Sequence, residues 1–181
     1  MAGRPIDHRR RAELLDAAVD HAADRGFAEL SLRPMAAALG VSPTTLVHHF
    51  GSREQLLAAV LGRLRERVAL TPGSYPDLAT AARSVWEHSA SPEQRSVFRL
   101  FFAVYGSAVQ APDAYAEFLA EAGTELTAAL CAAQGPEADP AVAARRATLV
   151  IATLRGLLLD LLGGGDPARI HSAAADFLAG L

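Results

Sequence analysis

Between Ser42 and Arg53 the chain reads Ser-Pro-Thr-Thr-Leu-Val-His-His-Phe-Gly-Ser-Arg. Wound as a helix, Leu46 and Phe50 fall in one sector and point to a core. Thr44, Thr45 and His48 then lie on the opposite side, with Val47 and His49 on the flanks. Short donors and methyl groups of this kind can read base edges in the major groove of duplex DNA. Thr44, Thr45, His48 and, from the flank, His49 are therefore candidate base contacts. An ordinary solvated helix face is the bland alternative. Ser31, Arg33, Ser42, Ser52 and Arg53, with the cluster Arg9, Arg10 and Arg11, are candidate phosphate contacts, because helix N-termini and arginine both favour anions.

Other chemistry finds no constellation. His48 and His49 are adjacent on a helix and diverge by about 100°, so they cannot chelate one metal ion. The remaining histidines form no ligand-spaced pair, and Cys131 is the sole cysteine. Gly163-Gly164-Gly165 follows no strand and precedes no Lys or Ser/Thr at phosphate-loop spacing, so it reads as a helix stop. No enzyme, metal or cofactor is expected.

The elements that must position the candidate face are short and well punctuated. Ser31 and Ser42 each stand where a helix N-terminus wants a side-chain acceptor. Leu32, Met35, Ala36 and Leu39 recur at one-turn spacing. Gly40 then leaves the helix, Val41 plugs the angle, and Pro43 takes the first position of the next helix. This is helix-turn-helix spacing. Before it, a helix from about Asp7 to Arg25 buries Leu14, Leu15, Ala18, Val19 and Ala22, and Phe27 and Leu30 lead onward. After it, Ser52-Arg53-Glu54-Gln55 is a capping box opening a fourth helix through Val68.

From roughly Arg9 to Leu61 the chain resembles the tetracycline-repressor (TetR-type) family of bacterial transcriptional regulators. The resemblance rests on Ala-Glu-Leu-Leu-Asp-Ala-Ala-Val, Asp-Arg-Gly-Phe, the helix-turn-helix, and His-His-Phe-Gly-Ser-Arg-Glu-Gln-Leu-Leu. It implies a DNA-binding homodimer that answers to a small effector. Two positions depart from the family pattern. Val47 stands where an aromatic, most often a phosphate-touching Tyr, is usual, and Pro34 stands where Asp is frequent.

Composition fits this reading. The 181 residues are 51% apolar, and no stretch alternates as a strand would, so the fold class is all-α, with about nine helices. The net charge of −3 hides an asymmetry. Residues 1–67 hold ten Arg against eight acids, whereas 68–181 hold seven against twelve. Local charge is what phosphates feel. All seventeen basic residues are Arg, which codon bias explains as well as phosphate recognition does. A signal-like apolar segment is absent from the first residues, and Arg155 and Asp160 interrupt the most apolar stretch. A cytoplasmic protein without a membrane partner is expected.

Thr71 to Pro76 is the clearest break. It divides an expected DNA-binding domain, 1–70, from an expected effector and dimerisation domain, 71–181. The second part reads as helices from Asp77 to Ser89, from a second capping box at Ser91-Pro92-Glu93-Gln94 to Tyr105, from Asp113 to Ala133, from Pro140 to Leu162 and from Pro167 to Ala179. The Pro140–Leu162 helix is apolar nearly all round. With the last helix it is expected to form a two-fold four-helix interface. Trp86, Phe98, Phe101, Phe102, Tyr105, Tyr115 and Phe118 hold seven of the eleven aromatics. With Leu154 and Arg155 they are candidate walls for an apolar or aromatic effector, or simply core. The favoured function is a repressor released from a near-palindromic operator by that effector. An activator, a ligand-independent DNA-binding dimer and a helical protein-interaction module are the alternatives.

Overall fold

The computed structural model describes residues 7–26, 31–68 and 75–181, and every regular element among them is helical. In chain order these are α1 (His8–Arg25), α2 (Leu32–Ala38), α3 (Pro43–Phe50), α4 (Arg53–Val68), α5 (Leu78–Ser89), α6 (Arg95–Gln110), α7 (Ala116–Glu121), α8 (Thr124–Ala132), α9 (Pro140–Leu162) and α10 (Pro167–Ala179). Single 3-10 turns stand at Pro92–Gln94 and Pro112–Tyr115. Phe27, Leu30 and most of the break at 71–76 lie outside the described residues.

The described residues form two compact units. One takes the chain up to Val68 together with Ser96–Phe118, and the other takes Tyr75–Arg95 together with Leu119–Leu181. The segment 96–118, grouped with the second part from sequence, thus belongs with the first. In the first unit α1 buries the expected Leu14, Leu15, Ala18, Val19 and Ala22. Arg63 and Arg67 of α4 reach across to α1. Arg63 Nη2 donates to Asp16 at 3.2 Å, and Arg67 Nη2 donates to Asp16 Oδ1 at 3.0 Å while Nη1 pairs with Asp20. These two arginines hold the helices together and are committed internally.

In the second unit α9 packs on α8 and α10, and α5 completes the bundle. Asp77, Asp139 and Asp166 cap α5, α9 and α10 by accepting backbone N–H groups at 2.7, 2.9 and 3.0 Å. The expected long helix from Asp113 to Ala133 is broken. A 3-10 turn, the short α7 and a left-handed Gly123 at φ 119° precede α8. A Cβ at residue 123 would lie 3.1 Å from the Arg155 guanidinium, so tertiary packing as well as backbone angle asks for glycine here. In the opposite direction, α6 runs through Gly106, where a loosening was expected. Its buried stripe Phe101, Val104 and Ala108 spans the glycine and carries the helix on to Gln110.

The Ser91 box does not form either. The chain enters α6 through a 3-10 turn in which the Gln94 N–H uses the Ser91 carbonyl, 3.2 Å away, and the hydroxyl makes no cap.

Candidate nucleic-acid interface

The base of the candidate face is rigid. Met35, Ala36 and Leu46 are fully buried and Phe50 nearly so, which anchors α2 and α3 to the core of the first unit. Gly40 adopts φ 63° and the Val41 N–H closes the turn on the Ala36 carbonyl at 3.0 Å. Ser42 caps α3 as its position predicts: its Oγ accepts the Thr45 N–H at 3.1 Å and lies 2.9 Å from Thr45 Oγ1. Ser31 does not cap α2 through its side chain. The third helical position there is Pro34, which has no N–H for the hydroxyl to accept.

The capping box of α4 forms in full. The Gln55 N–H donates to Ser52 Oγ at 3.2 Å, and the Ser52 N–H donates to Gln55 Oε1 at 2.8 Å. Gly51 makes this possible. At φ 81° it turns the chain, and a Cβ would sit 2.0 Å from Gln55 Oε1. The sequence reading passed over Gly51. Its place directly before a capping box was the available signal.

The candidates then sort by exposure. Thr44, Val47 and His48 project outward from α3, and Ser42, Ser52, Arg53 and Arg33 are exposed around them. Thr45 is half-buried against Ser42, so it braces the helix start as much as it faces outward. Two candidates turn inward. His49, offered as a further base contact, is buried, with Phe50 and His48 as ring neighbours at 6.5 and 5.2 Å. Arg11, grouped with the phosphate cluster, is half-buried. Its Nε donates to the His49 carbonyl at 3.1 Å and its guanidinium lies 5.1 Å from the centre of the Phe50 ring. A cation at the last carbonyls of a helix is favourable. Arg11 therefore pins the end of α3 to α1.

Arg9 and Arg10 are exposed and share Glu13 at 3.1 and 3.2 Å. Such surface pairs contribute about 1 kcal/mol or less, so phosphates can compete for them. Arg63 and Arg67 are different. A hydrogen bond with Glu66 raises the pKa of Arg63 above its ordinary value. For Arg67 burial opposes the charge, but bonds to Asp20 and Asp16 outweigh it. The helix α3 itself carries no carboxylate to repel a phosphate backbone.

Away from this face, the aromatic candidates pack on one another. In the first unit Phe98, Phe101 and Phe118 are buried. Phe101 lies 5.6 to 6.3 Å from the rings of Phe98, Phe102, Tyr105 and Phe118, and Tyr115 is half-buried. In the second unit Trp86 sits 5.5 Å from His171, and Leu154 is buried. That unit also contains a cleft of about 620 Å³ between the α7–α8 segment and α9. Arg155 lines it. The other eight ligand candidates do not.

The model of the family described as "Bacterial regulatory proteins, tetR family" matches residues 14–60, the span of α1 through most of α4. The regulator BetI of Rhizobium meliloti (strain 1021) is 43% identical over 61 residues, covering 32% of this chain and 30% of BetI. The chain belongs to the TetR family. BetI of Brucella abortus (strain 2308) is 30% identical over 110 residues, 58% of this chain and 56% of that protein. The chain thus spans about a third to about half the length of these curated relatives. The multidrug binding protein EbrR, complexed with imidazole, superposes with a TM-score of 0.69 at 26% identity, covering 96% of this chain and 89% of EbrR. TetR-family regulators are DNA-binding proteins and not enzymes. For this member, the all-α fold and the helix-turn-helix are as its sequence predicts. Among the described residues, no helix is long and apolar enough to cross a membrane.

Proposed function

We propose that this TetR-family regulator is a homodimeric repressor that leaves a near-palindromic operator when a small molecule binds. The observation that carries the reading is α3, whose apolar side is locked into the first unit while Thr44, Val47 and His48 face outward. In this mechanism two copies of α3 enter successive major grooves, with Thr44, Thr45 and His48 at base edges. Ser42, Ser52, Arg33, Arg53, Arg9 and Arg10 hold the backbone. The protein acts in the cytoplasm, where the duplex is.

The exposed side of α9 supports the dimer. Val142, Leu149, Ala152, Gly156 and Leu159 recur at spacings of seven, three, four and three residues, and Leu149 and Leu159 remain 65% and 55% exposed. Such a stripe with small residues at its centre suits a facing helix. The EbrR complexes with imidazole and with proflavin support an effector-responsive second part. An effector weakens the operator complex only by its differential affinity for the two states.

Val47 gives the test. It is 46% exposed beside Thr44 and His48, and it offers the backbone no hydrogen bond. Val47→Tyr is expected to tighten operator and random duplex alike, by about two- to tenfold per protomer, as one added phosphate contact would. Fluorescence anisotropy on both duplexes reads the result. A gain confined to one sequence, or none at all, contradicts the placement of α3 against the backbone.

A further inference from the structure

The cleft of the second unit has a distinct chemistry. Its charged side chain is Arg155, and no carboxylate is among the residues that line it. Thr124, Thr127 and Thr148 supply hydroxyls, while Leu119, Ile151 and Ala152 supply apolar wall. Thr124 and Thr148 donate their protons to the Ala120 and Ala144 carbonyls, each at 2.8 Å, so their oxygens face a ligand as acceptors. Arg155 is held from behind. One Nη donates to the Ala122 carbonyl at 3.4 Å, and Gly123 lets the loop approach the guanidinium without a Cβ. A guanidinium has five N–H donors, and two suffice to grip a carboxylate side-on. The volume falls within the range of small-molecule clefts.

We propose that this cleft binds a small carboxylate-bearing molecule, with its acid group on Arg155 and Thr127 and its apolar body along Leu119, Ile151 and Ala152. The site deepens the effector reading above and rests on it only for the regulatory consequence. A planar acid is favoured because the guanidinium fork matches it, whereas an uncharged body of the same shape gains only apolar contact.

The test is calorimetric titration of the full chain with benzoate and hexanoate, up to about 10 mM, as suits so small a ligand. Benzamide, hexanamide and phenyl phosphate are run beside them. At least one acid is expected to bind, and its amide about tenfold more weakly or worse. Arg155→Gln should weaken the acid by about tenfold or more and leave the amide unchanged. Ala128→Phe, at an exposed position on the cleft wall, should block acid and amide together while preserving the helical circular-dichroism spectrum. Equal binding of acid and amide, no binding by either acid, or an Arg155→Gln chain that still binds the acid at full strength overturns the proposal. Phenyl phosphate binding more tightly than benzoate overturns the carboxylate assignment. An acid that binds through Arg155 yet leaves operator affinity unchanged upholds the site and overturns the effector reading instead.

Discussion

Leu46→Ala is expected to lower unfolding stability by about 2–5 kcal/mol, the usual cost of emptying a buried leucine site. Leu46 is fully buried beneath α3, beside Met35, Ala36 and Phe50 in the same core. It touches no DNA in the proposed mechanism, yet its loss frees the helix that carries the reading face. Binding to every duplex should therefore fall together. Thr44→Ala and His48→Ala lie on the opposite side of the same short helix, both exposed. Each should leave stability within about 0.5 kcal/mol of the parent. Each should also weaken the specific duplex by about 1–3 kcal/mol while sparing random DNA. Urea denaturation and anisotropy, run on all three variants, separate the two sides. His48→Ala destabilising the fold like Leu46→Ala, with specific and random binding falling in step, would mean that α3 is packed the other way round.

The second large effect is expected at α9. A pair of arginines, Leu149→Arg with Leu159→Arg, should cost an isolated chain little, because both side chains face outward. Buried against a partner copy, the same charges would lack counter-charges and cost several kcal/mol. Sedimentation should then report a folded monomer where the parent is a dimer. Operator affinity should drop by about 10²–10⁴, the usual gain from linking two binding modules. Leu154→Ala is the control: Leu154 is buried within its own chain and should weaken the fold before it weakens assembly. A double-arginine chain that still sediments as a dimer would remove α9 as the interface.

Local signals proved the most legible in the sequence. Ser42, Gly40, Pro43 and the Ser52–Gln55 box are decided within four residues, and each does in the structure what its spacing predicts. The Pro140–Leu162 and Pro167–Ala179 helices begin at proline and end at glycine, and their bounds are as read. The departures have tertiary causes. Arg11 looks like one more basic side chain until α3 ends beside it with a carbonyl to offer. The break at Gly123 is one residue in an alanine-rich run, and the guanidinium that crowds it comes from Arg155, far along the chain.

The cleft escaped for a similar reason. Aromatic residues drew attention, although their bulk is spent on one another. The lining is made of small residues at one-turn spacing, Thr124, Thr127 and Ala128 on one helix and Thr148, Ile151, Ala152 and Arg155 on the next. That pattern of shared faces was present in the sequence, but nothing local says that the two faces meet.

Duplex DNA as the partner is the claim on which everything else depends, and its most direct test is the salt dependence of binding. The full chain is titrated against an unrelated duplex by anisotropy across a series of salt concentrations. Each neutralised phosphate contributes a slope of about −0.9 to log K against log salt. Exposed Ser42, Ser52, Arg33, Arg53, Arg9 and Arg10 around α3 predict at least four such contacts per dimer, hence a slope of about −4 or steeper. A slope near zero would contradict the account, because a helix-turn-helix that does not displace counterions is not bound to the phosphate backbone.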